Sequence, residues 1–162
     1  EFPPEAFTEY WAREKSKAVA KSHPKSIVIG ADTIVSLNGV IYGKPKNEAN
    51  SINMLMSLSG KTHEVVTGIS FICYSKNIDI NVNERTYVKV AKLDKKTIIN
   101  YIKKYAPYDK AGSYGIQDGF SVFIEKINGC YYNVMGLPLS SFYKTYNSLI
   151  NERFNNRNKL DK

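Results

Sequence analysis

Residues with the means to do chemistry gather in two short stretches. The first, GADTIVSLNGVIYGKP over 30–45, places Asp32 and Thr33 directly behind the apolar run Ile27, Val28 and Ile29. It then carries the chain to Lys44, framed by Gly43 and Pro45. Open α/β sheets hold their ligands at the carboxyl ends of strands. A carboxylate there, with an ammonium presented by a stiff turn, suits a metal-bound phosphate. A solvated strand end followed by a surface loop has the same look. The second stretch, PYDKAGSYGIQDG over 107–119, crowds Asp109, Lys110, Ser113 and Gln117 among three glycines. Glycines let backbone amides approach an anion closely. The amide of Gln117 both donates and accepts, which is what reading the edge of a base requires. No Gly-Lys-Ser/Thr occurs in this loop and no strand leads into it, so neither the Walker motif nor the dinucleotide fingerprint fits. An exposed loop of no function remains the plain alternative.

Other chemistries have less support. His23 and His63 lack companions at metal-ligand spacing, and no serine stands in a Gly-x-Ser-x-Gly elbow. Cys73 and Cys130 read as two buried, reduced thiols. The net charge of +8 invites a nucleic-acid partner, yet only four of the 23 cations are arginine, the residue suited to forked recognition of bases and phosphates. The lysines are scattered and the aromatic residues are spread through the elements. Nucleic acid is therefore not the expected partner, and the charge marks a bias toward an anionic ligand. No apolar run is long enough to span a bilayer.

The positioning elements follow from pattern. At 162 residues and 43% hydrophobic, the chain fits one domain with a real core. Pro3 and Pro4 open a helix with Phe7, Tyr10/Trp11, Glu14 and Ala18 at helical spacing, and Pro24 stops it. SIVIG reads as a covered strand, ended by Asp32. Asn38-Gly39 then makes a type I′ hairpin between IVSL and VIYG. A helix spans Glu48 to Leu58, closed near Gly60. Two strands flank Ser75-Lys76-Asn77. Asp94 caps a helix from Lys95 to about Lys104. FSVFIEKI-NG-CYYNV reads as a second Asn-Gly hairpin. Pro138 opens a last helix with Leu139, Phe142, Tyr146 and Leu149/Ile150 inward, and the tail after Phe154 reads as polar and frayed.

Taken together, four ordered blocks resemble the Maf family, also called septum formation inhibitor or nucleoside triphosphate pyrophosphatase proteins. They are GADTIV…GVIYGKP, then A-x-x-x-x-M-L-x-x-L-S-G-x-x-H-x-V-x-T-G across Ala49 to Gly68, then YDKAGSYGIQ, then NVMGLPL. The resemblance implies an α/β fold: an elongated, twisted mixed sheet flanked by helices around a central cleft, similar to inosine-triphosphate pyrophosphatases. It implies hydrolysis between the α and β phosphates of a nucleotide, assisted by Mg²⁺ or Mn²⁺, in the cytoplasm, with a homodimer as the assembly suggested by analogy. Asp32 matches the family's general base and a metal ligand; Thr33 and Gln117 match the branch preferring dTTP and UTP.

Within that resemblance Lys44, Lys110 and Lys17 are the expected phosphate-binding cations, and Asp109 a further metal carboxylate. An aspartate is ordinarily a weak base, but a metal ion that acidifies its bound water makes such a base sufficient. The family's first strand and Ser-x-Ser-Pro-Arg-Arg loop do not occur in these residues. The expected domain is thus 1–154 without that strand and loop, with a tail over 155–162. Their absence motivates the alternative of a non-catalytic, nucleotide-binding or division-regulating protein.

Overall fold

The computed structural model describes the backbone of residues 3–160 and the side chains through Asn151; the side chains of the expected tail, 155–162, lie outside the described residues. Five strands, β1 (Val28–Leu37), β2 (Val40–Tyr42), β3 (Thr62–Cys73), β4 (Ile78–Val90) and β5 (Ile124–Asn128), form one sheet in the order β2-β1-β3-β4-β5. Among the described residues five α-helices accompany them: α1 (Pro4–Ala20), α2 (Glu48–Leu58), α3 (Lys95–Tyr105), α4 (Tyr131–Met135) and α5 (Leu139–Leu160). The α/β class holds, but all four strand pairings are antiparallel, so the described sheet is not the mixed one expected. The crossover through α2 does join two strands of like direction, β2 and β3. They do not pair because β1 lies between them.

Asp32 does not end a strand. The apolar run and IVSL are one strand, and Gly30, Ala31 and Asp32 pair with Ser70, Ile69 and Gly68 of β3. Neighbouring backbone pairing outweighs the poor strand propensity of glycine and aspartate here. The Asn38-Gly39 hairpin forms as read, with φ of 53° and 80°, the positive pair a type I′ turn demands. The second Asn-Gly makes no hairpin. Gly129 alone takes a positive φ, and Thr86 captures the chain: its hydroxyl accepts from Cys130 N–H at 3.0 Å and donates to Cys130 C=O at 3.2 Å. The segment beyond it turns into α4. Cys130 is accordingly half-buried at a helix start, while Cys73 is buried on β3; both are free thiols.

Side chains alternate faces along a strand. One face of the sheet packs Val35, Leu37, Val65, Val88 and Val90 against Leu55 and Leu58 of α2 and Ile98 and Ile102 of α3. Farther along, Ile69 and Phe71 meet Phe142, Tyr146 and Leu149 of α5, as expected for those three; Leu139 is exposed instead. Asn47 caps α2 by accepting from Asn50 N–H at 2.9 Å, and Asp94 caps α3 through Thr97 N–H at 2.7 Å.

The other face carries α1, on a stripe different from the one expected. Its buried residues are Thr8, Ala12, Ser16 and Ala20, all small. They let the helix settle onto strand glycines. A Cβ on Gly68 would lie 2.5 Å from Thr8 C, and one on Gly30 would collide with Ala12 O. The aromatic row is displaced to the helix flank. Among the described residues no helix is long and apolar enough to cross a membrane.

Candidate active site

β2 reaches only Val35–Leu37 of β1. The outer edge of β1 from Val28 to Ile34 has no strand partner among the described residues, and a cleft of about 880 Å³ lies over it. The row Phe7, Trp11 and Lys15 of α1 lines one side. The other side is lined by the segment from Asp109 to Asp118 and by Val134–Gly136. Asp32, Thr33, Lys44, Asp109, Lys110 and Gln117 all line this single cleft. Lys17 does not; its Nζ pairs with Glu14 Oε1 of the same helix at 2.7 Å.

Sequence reasoning missed Lys15. Its Nζ donates to Asp32 Oδ1 at 2.5 Å and to Ala31 C=O at 3.1 Å. The Asp32 side chain is 18% exposed and that of Lys15 53%, so the carboxylate is partly desolvated while its partner reaches in from the rim. The missed signal was the helical phase of α1. With Thr8, Ala12 and Ser16 buried, the adjacent row at i, i+4 and i+8 is the one that leans over Asp32.

Thr33 points to the opposite face of β1 from Asp32. Its hydroxyl lies 2.9 Å from Thr67 Oγ1 and donates to Gly136 C=O at 3.4 Å. Thr67 donates onward to Asn133 C=O at 3.3 Å. Thr33 therefore fastens α4 and the turn after it to the sheet, forming the wall beneath the cleft.

A backbone clasp joins the two chemistry-bearing stretches. Gly112 N–H donates to Gly43 C=O at 3.0 Å, which fixes the Gly-Lys-Pro turn against the glycine loop. Gly112 and Ser113 both take left-handed φ, 66° and 64°. Any Cβ on Gly112 would fall 2.8 Å from Val35 Cγ2, so glycine is required on two counts. Buried Ser113 is tied to Ser51 of α2 through their hydroxyls. Lys110 Nζ donates to Asp109 Oδ1 at 2.9 Å, and that bond holds the Asp109 carboxyl below its usual range.

Hydrogen bonds on both sides hold the stretch that presents Gln117. Tyr114 OH lies 2.7 Å from Nε2 of buried His63, whose pKa burial pushes down to about 4. Tyr101 OH donates to Asp118 Oδ2 at 3.1 Å and accepts from Gly115 N–H at 3.2 Å. Burial raises the Tyr101 pKa, so the phenol stays a donor. Asp118 also accepts from Phe120 N–H at 2.9 Å.

No group of three or more His, Cys, Asp or Glu side chains suited to a metal ion occurs among the described residues. Asp32 supplies one carboxylate, with one oxygen engaged by Lys15. Mg²⁺ is commonly held by one or two carboxylates, substrate phosphates and water rather than by an all-protein cage. Such a donor set fits an ion that arrives with a phosphorylated ligand. Three ammonium groups, a carboxylate oxygen and an amide around one hollow are equipped to grip an anion and accept a proton.

A profile of the family described as Maf-like protein matches residues 1–149. The dTTP/UTP pyrophosphatase of Clostridium perfringens (strain SM101 / Type A) is 45% identical over 141 residues, 86% of this chain and 73% of its own length. That of Clostridium novyi (strain NT) is 43% identical over 144 residues, 88% of this chain and 75% of its own. That of Bacillus mycoides (strain KBAB4) is 48% identical over 129 residues, covering 80% and 66% respectively.

Proposed function

The chain belongs to the Maf-like protein family, and from that premise we propose that it hydrolyses dTTP, UTP or modified pyrimidine nucleoside triphosphates to the monophosphate and pyrophosphate. The observation carrying this reading is the convergence of Asp32, Lys15, Lys44, Lys110 and Gln117 on one cleft. Asp32 is the general base: Lys15 holds Oδ1, orients the carboxylate and leaves Oδ2 to take the proton of the attacking water. Lys44 and Lys110 face the triphosphate and stabilise the charge that builds on departing pyrophosphate. Binding of phosphate to Lys110 loosens its pair with Asp109, which becomes available to a cation. Gln117 reads the base edge, and Thr33 keeps the Val134–Gly136 wall in place. A divalent cation, Mg²⁺ or Mn²⁺, held by Asp32 and Asp109 with the substrate's phosphates, would offset anionic charge and acidify water. The setting is the cytoplasm, where the free nucleotide pool lies.

A nucleotide panel with Mg²⁺ tests the reaction, reading monophosphate and pyrophosphate. Asp32→Asn keeps nucleotide binding by calorimetry and lowers kcat by about 10²–10⁴-fold, the usual contribution of a positioned base. Equal turnover in that variant would remove Asp32 from its role. Binding by the wild type with no hydrolysis of any triphosphate would favour a regulatory, non-catalytic protein.

A further inference from the structure

We infer that Trp11 supplies the stacking face for the pyrimidine ring of the substrate, with Phe7 and Tyr10 bracing it. This inference rests on the pyrophosphatase reading and adds a specificity-determining residue to it.

Trp11 lines the cleft and is 44% exposed. The fold does not use it as an anchor, because α1 is seated by Thr8, Ala12, Ser16 and Ala20. Two aromatic neighbours set its orientation. The Tyr10 ring meets it edge-on at 5.3 Å, and the Phe7 ring is tilted at 6.3 Å. Such bracing limits the rotamers of an exposed indole before any ligand arrives, which lowers the ordering cost of stacking.

Its place along the helix matches the polarity of a nucleotide. Lys15, one turn on, is bonded to Asp32 at the reacting end. Trp11 lies about 6 Å back along the axis and Phe7 about 12 Å, the span separating the phosphate of a nucleotide from its ring. One helical row thus runs from ammonium to aromatic, as the substrate runs from phosphate to base. Gln117, on the far side of the cleft, can engage only the edge of a base. A pyrimidine also needs an apolar surface against its face, and Trp11 offers the broadest one here.

Trp11 is the sole tryptophan of the chain, so its fluorescence reports on this position alone. UMP is titrated into the protein without metal, and ribose 5-phosphate, which has the phosphate but no ring, serves as control. UMP is expected to quench the emission saturably and ribose 5-phosphate to leave it unchanged. Trp11→Leu is expected to raise KM for UTP by about 10- to 100-fold, the range for loss of one ring stacking on an aromatic side chain. Inhibition by tripolyphosphate should stay the same, and Trp11→Phe should recover most of the KM.

Normal hydrolysis with KM for UTP within twofold in Trp11→Leu would overturn the assignment while leaving the enzyme reading intact. So would equal quenching by UMP and ribose 5-phosphate. Failure of the wild type to hydrolyse any triphosphate would instead defeat the pyrophosphatase reading itself. In that case quenching by UMP over ribose 5-phosphate still decides whether Trp11 stacks a base.

Discussion

Gly68→Ala adds a single methyl group at a residue that does not line the cleft, yet it is expected to behave as a lesion of the site. Gly68 pairs with Asp32 across β1 and β3 and lies under α1. The new Cβ would sit 2.5 Å from Thr8 C, 2.6 Å from Thr8 O and 2.7 Å from Glu9 N. All three are backbone atoms and cannot rotate away. To reach ordinary contact at 3.4 Å the helix must rise by about 0.9 Å at that turn. Overpacking of this kind costs about 1–3 kcal/mol. At this chain length each kcal/mol shifts Tm by about 2–4 °C, so calorimetry should show a fall of about 2–12 °C. The rise also draws Lys15 away from Asp32. A misplacement near 1 Å at a reacting centre costs up to about 10²-fold in rate, so kcat/KM for UTP should drop by about 10- to 100-fold. Thr8→Ala should not rescue the variant, because the collision is with main chain. Unchanged Tm and turnover, or rescue by Thr8→Ala, would refute the close seating of α1 as the source of the Lys15–Asp32 geometry.

Two further expectations follow from the cleft and its supports. Lys15→Met should lower kcat by about 10-fold or more, whereas Lys17→Met should leave kcat/KM within about twofold, since Lys17 is occupied by Glu14 outside the cleft; steady-state kinetics on the pair decide, and the reverse order would overturn the assignment. His63 is held neutral by burial, its pKa lowered from 6.5 to about 4, so between those values the unfolded chain binds the extra proton. Its contribution is complete above pH 6.5 and is lost as pH falls toward 4, about 3 kcal/mol in all at 1.36 kcal/mol per unit. Thermal melts from pH 7 to pH 4 should show this slope in the wild type and a shallower one in His63→Gln; identical slopes would reassign it.

Local chemistry made much of this architecture readable. Asn38-Gly39, the Asp94 cap and the apolar spacing of Glu48–Leu58 each have a short-range cause, and each element formed where it was read. Asn128-Gly129 carries the same dipeptide and failed, because Thr86, more than forty residues away in sequence, supplies the competing hydrogen bonds. The buried stripe of α1 departs from the expected one for a related reason. Hydrophobic periodicity finds faces that pack through large side chains, while this helix packs through small ones onto glycines of another element. That difference hid Lys15, while the expectation for Lys17 came from the family resemblance. The co-location of Asp32, Lys44 and Gln117 came from the family resemblance and was not derivable from spacing, since the clasp between Gly43 and Gly112 is a tertiary contact.

That clasp sets the smallest exchangeable cassette for anyone wishing to redirect the pocket toward a different base. A graft of 107–119 alone would bring a donor glycine to a recipient turn shaped for another loop, and the lysine at 44 would lose its bearing. Moving 39–46 together with 107–119 transfers the lysine, its hinge and the amide proposed to read the base as one inherited part.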